Sequence, residues 1–127
     1  MSIDRLERIL RELRAFVAER DWAQFHDPKN LAMTVGSEAG ELLAEYRWVP
    51  SQDADRWSRN AKNRERVARE AADVAISLLL LCERVGIDLP TAIRRKMAAN
   101  RRKYPVALAR GRSEPPRSLR RRKRKRP

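Results

Sequence analysis

Among the 127 residues there is one cysteine and one histidine, and aromatic residues make up only 6%. Cys82 has no partner for an internal disulfide, and its place in a leucine run reads as a core position. No apolar run approaches the ~20 residues that a membrane span needs. Residues 1–20 carry too many charges for a secretory signal, so a cytoplasmic location without a membrane is expected. No strand-like alternation and no repeat of fixed period occurs. Such a length suits one hydrophobic core and one domain.

What is abundant is positive charge, and it is unevenly placed. The net charge is +13, of which residues 110–127 supply +9 through ten Lys or Arg against one acid. Residues 1–109 are only mildly basic. The expected organisation is therefore a folded domain over 1–109 and a disordered basic tail over 110–127. Such a tail binds polyanions non-specifically and in a salt-sensitive way, which makes a nucleic-acid-binding helical protein the alternative reading. It carries no aromatic residue to stack on bases, so base-specific single-strand binding is not expected.

The folded part reads as all-α, with four to five helices. Ile3, Leu6, Ile9, Leu10, Leu13, Phe16 and Val17 mark an amphipathic first helix over 3–20, opened by Ser2 or Asp4. Residues 21–30 break the period with an Asp-Pro step and read as a loop. A second helix is expected from about Leu31 to Tyr46, burying Leu31, Val35, Leu42 and Leu43. Gly36 and Gly40 in it permit a close approach by a backbone or ligand. After Val49-Pro50 a polar connection over 51–55 is expected. A third helix runs from near Ala61 to Val85, stopped by Gly86. Its stretch from Glu70 to Val85 has apolar residues on every side, which calls for neighbours all round it. Asp88 caps a fourth helix with Pro90 in its first turn.

Two features of these helices carry chemistry. Glu70 and Asp73 are i,i+3 at the start of the apolar stretch, and Glu38 and Glu41 repeat that spacing on the second helix, with Glu45 following. Residues at this spacing share one helix face. One such pair is common on a solvated surface. Two pairs, one embedded in an apolar helix, are another matter, because packed carboxylates need a cation or protons. If the helices pack antiparallel, four carboxylates converge. An all-oxygen set suits Mg²⁺, with Mn²⁺ as a substitute. Di-iron bundles use Glu-x-x-His pairs, which this chain lacks, since its His26 lies in a loop.

The full pattern includes Glu38-x-x-Glu41, Glu70-x-x-Asp73 and Trp48. It is completed by the loop from Arg20 to Leu31 and by the segment from Lys96 to Pro105. Together these resemble the MazG-like all-α nucleotide pyrophosphohydrolases, and most of all the compact dCTP pyrophosphatase type, across residues 5–107. The resemblance implies Mg²⁺-dependent hydrolysis of a nucleoside triphosphate, such as dCTP or a modified pyrimidine dNTP, to monophosphate and pyrophosphate, a house-cleaning activity. It implies that Glu38, Glu41, Glu70 and Asp73 hold the metal, and that Glu38 or Glu41 takes the proton of the attacking water. Trp22, His26 and Trp48 are suited to a base, or else to packing. Lys96, Asn100, Lys103 and Tyr104 offer donors to the triphosphate, although Lys103 also suits a solvated helix end. A homodimer or homotetramer of bundled helices is implied as well. The chain departs from the pattern at Ser77, where a Tyr is usual, and at Leu13 and Arg14, where some relatives place a His.

Overall fold

The computed structural model describes residues 3–113, all of whose regular elements are helical. The expected opening residue Ser2 and most of the basic tail lie outside the described residues. By contacts the chain divides into two compact units, one up to Ile87 and one from Asp88 onward.

In the first unit, α1 (Ile3–Glu19) ends on a left-handed turn. Asp21 takes φ +51°, a region that Asp tolerates better than most residues with a Cβ. Its N–H donates to the Ala18 carbonyl and the Trp22 N–H to that of Val17, both at 3.1 Å. These bonds form the helix-ending motif that Gly more often supplies. The turn sends Trp22 back onto Phe16, edge to face at 5.6 Å. A 3-10 turn follows over Ala23–Phe25.

α2 (Pro28–Tyr46) starts three residues earlier than the Asp-Pro step suggested. The step is a start signal: the Asp27 carboxylate accepts the Asn30 N–H at 3.0 Å, and Pro28 fits the first turn, where no N–H partner is needed. The polar connection after it is not plain loop either. A 3-10 turn over Ser51–Asp53 leads into α3 (Ala54–Arg59), whose Trp57 packs on Tyr46 at 5.1 Å. Ser58 shares a 2.9 Å hydrogen bond with the Tyr46 hydroxyl.

α4 (Ala61–Val85) has the bounds expected from sequence. The Asn60 side chain accepts the N–H groups of Lys62 and Asn63 at its start, and Gly86 at φ +72° ends it. α2 lies along α4, and α1 is tied to α4 by a two-bond pair in which Arg14 donates to both oxygens of Glu83, at 2.8 and 2.9 Å.

The buried apolar residues between these helices are few. Among the described residues only Leu31 and Cys82 qualify, with Ser77 beside them. Cys82 is thus a core residue as expected, and burial pushes its thiol pKa up. Leu43, expected inside, is 67% exposed because it points away from α4. Ile76 and Val85 also remain partly open, so one chain does not surround α4 with neighbours. A Cβ added at Gly36 or Gly40 would meet nothing within 4 Å, so the close approach they permit is not used within the chain.

The second unit holds α5 (Leu89–Lys103) and α6 (Val106–Ala109), a short helix not anticipated from sequence. Asp88 stands at the N-terminus of α5 as expected, but its carboxylate takes the Thr91 hydroxyl instead of a backbone N–H.

Candidate active site

Along α2, positions 38, 41 and 45 recur at steps of three and four; along α4, positions 66, 70 and 73 do the same. Oxygens of Glu38, Glu41 and Glu70 lie within 4.8 Å of one another. Asp73 stands outside that set, but its charge acts on both Glu38 and Glu70. The carboxylates thus come from two helices running in opposite directions.

This closeness has an electrostatic signature. Burial raises the pKa of Glu38 above the ordinary 4.5, and the charges of Glu41 and Asp73 raise it further. Glu70 is raised for the same reasons, first by burial, then by the Glu41 carboxyl beside it, and then by Asp73 and Glu45. One oxygen of Glu38 and one of Glu70 are sealed from solvent and have no hydrogen-bond partner. An orphaned buried carboxylate oxygen is costly unless a proton or a cation satisfies it. The three carboxylates can hold a metal ion, and an all-oxygen donor set fits a hard divalent one.

Against this cluster lies a cavity of about 300 Å³ walled by α1, α2, α4 and the loop after α1. Glu38 and Asp73 form its acidic edge, Trp22 and His26 line it, and Phe25 adds an aromatic wall. Ser77, only 5% exposed, lies in its lining. Its hydroxyl donates back to the Asp73 carbonyl at 2.9 Å, a helix-internal bond that leaves the cavity no bulk at this position.

The structure therefore brings Trp22 and His26 to the acidic cluster but does not bring Trp48 there within one chain. Trp48 is 86% exposed and borders a separate open hollow with Trp57 and Asn60. Lys96, Asn100 and Lys103 share a face of α5, with Tyr104 directly after it, all in the second unit. Three lining residues, Phe25, Asn30 and Thr34, were given no role in the site from sequence, although Phe25 and Asn30 belong to the matching loop. Asn30, Thr34 and Glu38 recur every four residues, a helical stripe that pointed to two of them.

An antiparallel pair of helices carrying Glu-x-x-Glu and Glu-x-x-Asp, with an apolar cavity beside it, defines a class of helical proteins, and sequence and structure comparisons agree on which. Residues 33–115 match the MazG-like family, and the chain belongs to that family. Among its relatives, dCTP pyrophosphatase 1 of Bos taurus is 42% identical over 106 residues, covering 84% of this chain. The Homo sapiens protein of the same name is 41% identical over 108 residues. The match spans only 63% and 64% of the length of these two relatives. A pyrophosphatase from Archaeoglobus fulgidus has a similar structure, with a TM-score of 0.73 and 40% identity over 80% of this chain and 93% of that one.

Proposed function

We propose that this chain hydrolyses nucleoside triphosphates, with dCTP or modified pyrimidine dNTPs as the substrate class, to the monophosphate and pyrophosphate. The observation that carries this reading is the convergence of Glu38, Glu41 and Glu70, with two sealed, unpartnered oxygens, at the edge of an aromatic-walled cavity. Relatives named dCTP pyrophosphatase 1 and pyrophosphatase support it.

In this reading Glu38, Glu41, Glu70 and Asp73 hold Mg²⁺, with Mn²⁺ able to replace it. When bound, the metal offsets phosphate charge and lowers the pKa of the attacking water. Glu38 or Glu41 accepts that water's proton, and the bond between the α and β phosphates breaks with pyrophosphate leaving. Trp22 and His26 receive the base in the cavity. Lys96, Asn100, Lys103 and Tyr104 supply donors to the phosphates. The chain works as a homodimer or homotetramer in the cytoplasm, which its sparse single-chain core and exposed Leu43 and Met33 support. Among the described residues no helix is long and apolar enough to cross a membrane. The folded domain covers 1–109, and the basic tail over 110–127 binds polyanions without a part in catalysis.

The test is incubation with Mg²⁺ and a panel of nucleoside triphosphates, with monophosphate and pyrophosphate as the measured products. Glu41→Gln and Asp73→Asn should each lower kcat by at least about a hundredfold. Cleavage of none of the triphosphates, or unchanged rates in both variants, would sink the proposal. Deletion of residues 110–127 should leave hydrolysis intact and remove most salt-sensitive DNA retention.

A further inference from the structure

One turn beyond Glu41 on α2, and one turn before Glu70 on α4, the carboxylate series ends on an ion pair. Arg66 Nη2 stands 2.8 Å from Glu45 Oε2. The Glu45 side chain is only 15% exposed, and that oxygen is sealed from solvent. It takes no aligned hydrogen bond, so the contact with Arg66 is one of charge with charge. The facing helices thus form three rungs: Glu38 opposite Asp73, Glu41 opposite Glu70, and Glu45 opposite Arg66. Glu45 remains close enough for its charge to act on Glu70.

We infer that the Glu45–Arg66 pair is the end-stop of the metal centre: Arg66 holds Glu45 out of the ligand set and confines divalent ions to the two upper rungs. The physical reason is the spacing. Residues four apart on a helix lie ~6 Å from one another, so Glu45 without Arg66 would be a fifth carboxylate within reach of an ion between Glu41 and Glu70. A largely buried carboxylate stripped of its cation seeks another one. The guanidinium, being more than half exposed, gives up little hydration in holding Glu45. Arg66 and Glu45 are in this sense positioning residues, and the inference rests on the metal-centre reading above.

Mn²⁺ titration of the full chain without nucleotide, read by calorimetry and by electron paramagnetic resonance, tests it. Arg66→Gln should bind an additional Mn²⁺ per chain, or bind Mn²⁺ about tenfold more tightly, because a positive charge about one helical turn away has been removed. Arg66→Lys should behave as the wild type, and the Glu45→Gln/Arg66→Gln double variant should return to wild-type stoichiometry. If Arg66→Gln unfolds without metal, the Mn²⁺-induced rise in its melting temperature should exceed that of the wild type. Wild-type binding that Arg66→Gln leaves unchanged in stoichiometry, affinity and melting shift overturns the inference alone. Loss of Mn²⁺ binding in Glu45→Gln overturns it too, since Glu45 would then be a ligand. A wild-type chain that binds no Mn²⁺ overturns the metal centre itself.

Discussion

At Glu38 and Glu70 burial and like charge act in the same direction, and both carboxyls hold protons more strongly than ordinary ones. The sign of the linkage follows. From the ordinary 4.5 upward, the folded metal-free chain binds more protons than the unfolded one, so its stability falls as pH rises through the raised values. Denaturant unfolding in a chelator, repeated across pH, should show this downward slope, and Glu38→Gln should flatten it. Saturating Mn²⁺ should reverse it, because the ion competes with the protons. A metal-free chain that gains stability as pH climbs from 4.5 toward neutrality would contradict the burial of these groups. Ser77 shows the same economy of local contacts: its hydroxyl is bonded to its own helix, so the room it leaves in the cavity is bounded by the aromatic walls and by the acidic edge of Glu38 and Asp73.

The helices owe their placement to caps and cross-ties. Arg14 donates twice to Glu83 and lowers the Glu83 pKa, chiefly through that side-chain hydrogen bond. This stability is present above the ordinary 4.5 and is lost as pH falls through the lowered value, opposite in sign to the acidic cluster. The pair is partly exposed, so Glu83→Gln should cost about 0.5 kcal/mol at neutral pH, and its effect should vanish in acid; urea unfolding at both pH values checks this. Local signals of this kind are what a sequence displays. Gly86 ends α4 legibly because a left-handed glycine acts on its own neighbours, and the Asn60 cap, not named from sequence, is a signal of the same local kind. The Asp27-Pro28 step was ambiguous, since the same dipeptide both ends a loop and begins a helix. α3 escaped notice because six residues cannot display a period, and its fixing contact, Trp57 on Tyr46, is tertiary. The carboxylate spacing was legible in the same local way. That the stripe through Asn30 and Thr34 lines a cavity, and that Trp48 stands apart from it, depend on what lies opposite, which spacing does not encode.

Taken as a whole, the molecule has its acidic cluster and cavity within the first unit, while Trp48 faces solvent at 86% exposure. A large indole so exposed, just after α2, on which Leu43 and Met33 are also open, is suited to contact with a second copy. For the proposed oligomer the expected arrangement is that Trp48 serves the cavity of a neighbouring chain and not its own. Mixed assemblies distinguish the two arrangements. Glu41→Gln destroys the carboxylate set of the chain that carries it, and Trp48→Ala removes the indole that the chain donates. If the indole acts across the interface, a heterodimer of the two variants has one site with both parts intact: the Trp48→Ala chain supplies the carboxylates and the Glu41→Gln chain supplies the indole. Random pairing of equal amounts should then restore about a quarter of wild-type turnover at low substrate, by the symmetry of a two-fold dimer. If the indole serves its own chain, each heterodimer site lacks one part or the other, and mixing restores nothing beyond the sum of the separate variants. Subunit exchange, followed by turnover at substrate concentrations below KM, decides between them.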